Sequence, residues 1–220
     1  MSTRREREEE SVSESTMAEP TFMMGGIPLA PKDHLCVFFR GRREHDRLVF
    51  PFVRAGLESG QVCYVVVPAG ESAGFAAAVA GEASRKSVDP NLLQLAEPEG
   101  FYLKDGEFQP GAVVESLHAW SRTTFDERGA EFARVASDMS WAGPLVEPAF
   151  VDELIRYEAT ATEWARTYPQ VVVCFYDLDV FGGDVVIPII KTHTKVWMGG
   201  AVVENPYVLP ASSAGTAPGR

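Results

Sequence analysis

Apolar positions along this chain follow two rhythms. Short, nearly continuous apolar runs read as strands near Leu35–Arg40, Val62–Val67, Leu92–Ala96, Phe132–Ser137, Val171–Tyr176 and Val196–Val203. Continuous rather than alternating runs mark strands covered on both faces. Between them, apolar residues recur at helical spacing near Glu44–Ser59, Ser72–Glu82, Gly111–Asp126, Pro148–Thr167 and Asp184–His193. In the first of these, Leu48, Phe52, Ala55 and Gly56 form the stripe, and Gly60 stands where a helix stop belongs. The alternation of strand and helix predicts an α/β fold: a mostly parallel sheet, right-handed crossovers and helices on both faces, in three layers.

The pattern fades at both ends. Residues 1–26, with RREREEE and a Ser/Glu-rich stretch, read as a disordered charged extension in which only Phe22-Met23-Met24 could dock locally. Residues 27–209 carry the periodic pattern and read as one domain, and 210–220 (PASSAGTAPGR) as a flexible tail. A length of 220 residues suits that single domain.

Charge narrows the partners. The net charge of −11 argues against a nucleic-acid surface. The two local basic clusters, Arg40/Arg42/Arg43 and Arg4/Arg5/Arg7, are interleaved with or followed by acids and read as solvated faces. Cys36, Cys63 and Cys174 each fall inside an apolar run without C-x-x-C spacing, as buried reduced thiols of a cytoplasmic protein would. With neither an apolar run of about 18 residues nor a signal-peptide pattern, no membrane association is expected.

The loop after the first strand carries the most information. It reads Arg40-Gly41-Arg42-Arg43-Glu44-His45-Asp46, where a nucleotide-binding domain would place G-x-x-x-x-G-K-[ST]. The backbone nest, the phosphate-gripping lysine and the magnesium-holding hydroxyl are all missing, so no nucleotide cofactor is expected.

In an open parallel sheet the ligand crevice lies beyond the carboxyl ends of the strands. That rule selects Phe39, Arg40 and Glu44 after the first strand, and Asp138, Ser140 and Trp141 after the fourth. It also selects Tyr176, Asp177, Asp179 and Gly182-Gly183 after the fifth, and Glu204, Asn205 and Tyr207 after the sixth. Aromatics beside a few carboxylates suit a small-molecule pocket, and the candidate ligand-binding set is Phe39, Arg40, Glu44, Asp138, Trp141, Tyr176, Asp177, Asn205 and Tyr207. Asp177-Leu178-Asp179 puts two carboxylates on one side of an extended segment, a pair that could bind a cation or act as acid and base. Beside Gly182-Gly183, helix capping or a turn is the preferred role. The histidines His34, His45, His118 and His193 have no H-x-x-x-H spacing, so no local zinc motif is present. His34 is expected to pack or cap at the far end of the first strand, and His193 to bond the last carbonyls of its helix. A Cys174–His193 nucleophile pair is the sharper alternative, against Cys174 as inert core.

Several blocks together resemble a known family. HLCVFF at 34–39, PFVRAGLESG at 51–60, YLKDGEFQP at 102–110, MSWA at 139–142, YDLDVFGG at 176–183 and AVVENPY, downstream of His193, are similar to the MEDS domain, a methanogen/methylotroph DcmR-type sensory domain, over roughly Lys32–Leu209. The resemblance implies a RecA/KaiC-like fold stripped of its nucleotide loop. It also implies a sensory role in bacterial and archaeal regulators, one of which responds to small halogenated hydrocarbons. Ser137-Asp138 stands where the family pattern has Gly-Glu, one methylene longer, before Met-Ser-Trp. The family supplies no catalytic set. Its members sit beside helix-turn-helix or kinase-type ATPase modules, a pattern not seen in the short acidic stretch before the domain.

The expectation is therefore a sensory domain binding a small organic molecule at the strand ends. It would signal in trans to a regulatory protein such as a kinase-like ATPase, an anti-sigma factor or a transcription factor, with a homodimer as a further candidate assembly. The alternative is an enzyme or accessory protein of a biosynthetic pathway using Asp138, Asp177, Asp179 or Glu204.

Overall fold

The computed structural model describes residues 22–24, 27–81 and 89–210. Strands β1 (Phe22–Met24) and β2 (Ile27–Leu29) form an antiparallel pair ahead of the main sheet. The domain then runs β3 (His34–Phe39), α1 (Gly41–Glu58), β4 (Val62–Val66), α2 (Ser72–Gly81) and β5 (Leu93–Ala96). A short helix α3 (Pro98–Phe101) leads into the hairpin β6 (Leu103–Lys104) and β7 (Glu107–Phe108), turning at Asp105-Gly106, and then into α4 (Pro110–Ser121). After it come β8 (Ala133–Asp138), α5 (Pro148–Thr167), β9 (Gln170–Asp177), α6 (Gly183–Ile190), β10 (Lys195–Met198) and β11 (Ala201–Glu204).

Seven strands make one sheet in the order β11-β10-β3-β9-β8-β4-β5. Every pairing is parallel except β10 with β11. Side chains alternate between two cores, as the pleat requires. Leu35, Val37 and Phe39 join Val171, Val173 and Phe175 under Leu48, Val49, Phe52 and Val53 of α1. Cys36 and Phe38 join Val172, Cys174 and Tyr176 under Leu154, Tyr157, Ala161 and Trp164 of α5, Val185 and Ile189 of α6, and Val113 and Leu117 of α4. Helices thus cover both faces and make the three-layer α/β arrangement that the apolar runs predict.

Two elements differ from expectation. The segment 196–203 is a hairpin, because Gly199 and Gly200 both take positive φ (57° and 92°) and reverse the chain. The helix expected to Asp126 ends as α-helix at Ser121 and continues as a π-helical turn over Arg122–Glu127, whose wider path carries Thr124 into the core. Of the expected tails, 1–21, 25–26 and 211–220 lie outside the described residues, as does the final residue expected for α2, Glu82.

Candidate functional site

The strand-end crevice is built by the β3–α1 turn and the exit of β9. Gly41 holds φ +65°, so α1 begins abruptly after β3. The backbone N–H groups that a phosphate would need there face carboxylates. Arg40 N–H donates to Glu44 Oε2 at 2.8 Å, and Gly41 N–H points at Asp177 Oδ1 at 3.5 Å. Asp177 Oδ1 also accepts from Asp179 N–H at 2.9 Å, while the Arg40 guanidinium lies on Asp179 at 2.7 Å. Carboxylates complement the positive end of a helix and would repel a phosphate.

Of the other residues selected from sequence, Asp138 accepts from Ser140 N–H at 2.8 Å and faces His45 Nε2 at 3.6 Å. Phe39 packs against His45 and Phe175 beneath α1. Tyr176 is fully buried on the opposite face of the sheet, under α5. Asn205 spends its amide on the carbonyls of Ile190 (2.8 Å) and His193 (3.1 Å). Glu204 is exposed, and Tyr207 is 82 % exposed. The structure therefore gathers Arg40, Glu44, Asp177 and Asp179 at one strand end, places Phe39 and Tyr176 on opposite faces, and leaves Tyr207 at the surface.

A second region lies inside the α4/α5 layer. Tyr102 stacks on Trp141 with centroids 4.4 Å apart, and Phe108, Phe150 and Tyr157 close around the pair. Tyr102 Oη and Ser137 Oγ share a hydrogen bond at 2.8 Å, whereas Trp141 Nε1, although buried, has no hydrogen-bond partner. Behind Tyr102 is a cavity of about 20 Å³ whose walls include Ser137, Tyr157, Ala161, Trp164, His34 and Cys174. Burial pushes the Tyr102 and Tyr157 phenols up, so both stay neutral donors.

Two of those walls belong to a fully buried polar cluster. His34 comes from the start of β3, Cys174 from the middle of β9, Glu158 from the sheet-facing side of α5 and His193 from the turn between α6 and β10. Tyr176 Oη donates to Glu158 Oε1 at 2.5 Å. That leaves Oε2 facing His34 Nε2 at 3.5 Å, His193 Nε2 at 3.5 Å and the Cys174 thiol at 3.9 Å. The His34 and His193 rings lie 4.0 Å apart, centroid to centroid. Burial raises the Glu158 carboxyl to about 7, partly offset by the Tyr176 hydroxyl and the Cys174 thiol. Burial lowers His193 to about 4, and burial, helped by His193, also holds His34 well below the usual imidazole range. The Cys174 thiol is pushed up by burial and then by Glu158.

Sequence reasoning placed His193 correctly at its helix end, where Nδ1 donates to the Ile189 carbonyl at 3.0 Å. It did not find the cluster. One signal was available: Glu158 shares the apolar stripe of α5 with Leu154, Ala161 and Ala165, and an acid on a core stripe needs partners.

The molecule is thus a three-layer α/β domain with carboxylates where a phosphate cradle would be and a small aromatic-walled interior. The family described as MEDS, the methanogen/methylotroph, DcmR sensory domain, matches residues 33–194, and the chain belongs to that family. Its role is accordingly sensory. No curated protein matches the chain.

Proposed function

We propose that this sensory domain takes a small, largely apolar organic molecule into the cavity behind Tyr102 and reports it to a regulatory protein. The observation carrying this reading is the pairing of apolar and aromatic walls, among them Val66, Leu117, Val135, Phe101 and Trp164, with a few fixed polar groups, chiefly the Tyr102–Ser137 hydroxyl pair. Pockets for small organic ligands have that make-up. A space of about 20 Å³ holds one water-sized body, so the ligand is small or the Tyr102–Trp141 stack shifts to admit it. The carboxylates at the start of α1 support a ligand other than a nucleotide.

The output side is supported by where apolar surface remains. Among the described residues, the exposed large hydrophobics Val180, Ile187, Met198, Val203 and Tyr207 all fall between the exit of β9 and the turn just after the β10–β11 hairpin. Asn205 bonds that hairpin to the turn carrying His193, which joins the interior to this segment.

The test is a thermal-shift series with small halogenated alkanes, alcohols and ethers. Ala161 lines the cavity, so Ala161→Ile fills it. Saturable stabilisation of the wild type, lost in Ala161→Ile with an unchanged far-UV spectrum, is expected, because a ligand that binds only the native state raises its stability. Absence of a shift with every compound class would overturn the reading.

A further inference from the structure

The buried cluster is arranged for more than hydrogen bonding. Thr162 Oγ1 donates to the Thr192 carbonyl at 2.5 Å, so it accepts from His34 Nδ1–H at 2.7 Å. Thr192 Oγ1 donates to the Ile189 carbonyl at 2.8 Å, so that hydroxyl and that carbonyl, each 3.0 Å from His193 Nδ1, both accept from it and Nδ1 is protonated. Both neutral rings therefore aim an Nε2 lone pair into the same space. His193 Nε2 finds no hydrogen-bond partner there. Tyr176 holds Glu158 so that Oε2 faces the two rings and the Cys174 sulfur.

Distances separate two accounts of this arrangement. In a hydrogen-bonded cluster, N···O contacts would settle at about 2.9 Å. The two N···O contacts on Oε2 are both 3.5 Å, too long for that, whereas the Cys174 sulfur, 3.9 Å from Oε2 and 3.3 Å from His34 Nε2, is within thiol hydrogen-bond reach of both, and all four ligand atoms lie within 4.8 Å of one another. Around a tetrahedral zinc ion, with metal–ligand bonds of about 2.0–2.3 Å, the ligand-to-ligand edges come to about 3.3–3.7 Å, a range that the 3.3 and 3.5 Å contacts meet and that the 3.9 Å contact of Cys174 with Glu158 reaches by closing a few tenths of an ångström.

The geometry points to a closed four-ligand site for a zinc-type divalent cation, held by His34 Nε2, His193 Nε2, Cys174 Sγ and Glu158 Oε2. Imidazole with thiolate and one carboxylate is a borderline-soft set that suits zinc over magnesium or calcium. Binding releases the Cys174 thiol proton, together with the Glu158 carboxyl proton where that group is protonated, to solvent. The resulting thiolate and carboxylate balance the two positive charges, so the buried centre is neutral. His34 Nδ1 on Thr162, His193 Nδ1 on Ile189 and Glu158 Oε1 on Tyr176 supply the outer hydrogen bonds that orient metal ligands. With all four positions taken by protein, the ion acts as a staple joining β3, β9, α5 and the α6–β10 turn. It leaves no position for hydrolytic chemistry. The site shares His34 and Cys174 with the cavity walls, but the metal is read by coordination and the small molecule by a thermal shift lost in Ala161→Ile, so either reading can fail alone.

The test uses the full chain, free of affinity tag, reduced, unfolded in chelator and refolded with cobalt as the probe. One cobalt per chain, retained through gel filtration with tetrahedral ligand-field bands and a thiolate-to-cobalt charge-transfer band, is expected. Cys174→Ser should lose the charge-transfer band and Cys63→Ser, altered beneath α1 in the other core, should keep it. X-ray absorption on the zinc-loaded wild type needs no variant, and one sulfur with three nitrogen or oxygen neighbours is expected. No retained metal after refolding, a six-coordinate oxygen shell, or a band that persists in Cys174→Ser would overturn the assignment.

Discussion

The Tyr176 hydroxyl donates to Glu158 Oε1 across 2.5 Å, joining β9 to α5 with both side chains fully buried. This bond decides which carboxylate oxygen faces His34, His193 and Cys174. It also satisfies the carboxylate oxygen that neither Cys174 nor the histidines reach.

Tyr176→Phe removes the donor and keeps the ring. A buried acceptor left unsatisfied costs about 1–3 kcal/mol, so the unfolding free energy should fall by that amount and the urea midpoint should drop with little change in slope. An unchanged midpoint would mean that another donor takes over Oε1.

Glu158 and His193 should pull stability in opposite directions in protein stripped of metal. Burial lifts Glu158 from 4.5 to about 7, so its contribution to stability is full below 4.5 and lost as pH rises through about 7. Burial lowers His193 from 6.5 to about 4, so its contribution is full above 6.5 and lost as pH falls through about 4. Glu158→Gln removes only the first effect. Between pH 4.5 and 6.5 the chelated variant should gain stability with pH more steeply than the chelated wild type, by on the order of 1 kcal/mol per pH unit. Parallel curves in urea titrations across that window would show that Glu158 titrates as an ordinary carboxyl.

Nucleotide should not bind. With Glu44 on Arg40 N–H and Asp177 facing Gly41 N–H, ATP with magnesium meets carboxylates at the start of α1. No thermal shift and no ATP retained on gel filtration are expected, and magnesium-dependent retention would contradict this account of the turn.

Gly56 lies where α1 crosses β4 and β8. A Cβ there would sit 2.7 Å from Cys63 Sγ and 2.7 Å from Arg134 Cδ. Gly→Ala in a helix ordinarily gains about 1 kcal/mol, but overpacking costs about 1–3 kcal/mol. The clash should win, so a lowered melting temperature is expected for Gly56→Ala, and a raised one would mean that Arg134 swings aside without cost.

Much of the fold was legible because burial on both faces writes itself into continuous apolar runs. Phe132–Ser137 and Val171–Tyr176 were recognisable as covered strands, and β8 and β9 lie at those places in the sheet. The β10–β11 hairpin was missed because Val196–Val203 is apolar throughout except for its two glycines, and a glycine pair permits a reversal without requiring one. The strand-end rule selected Arg40, Glu44, Asp177 and Asp179, and these do meet. It could not see that they satisfy one another.

The sequence by itself determined the layered α/β architecture, the absence of a phosphate-binding loop and the family, because periodicity and short motifs are local properties of the chain. Only the tertiary structure decided that His34, Glu158, Cys174 and His193 share one buried point. They lie on β3, α5, β9 and the turn before β10, separated in sequence by up to 159 positions (193 − 34). No spacing rule spans such distances. Strand order places β3 beside both β9 and β10, and α5 then lays Glu158 across them, so the meeting is a consequence of topology and packing.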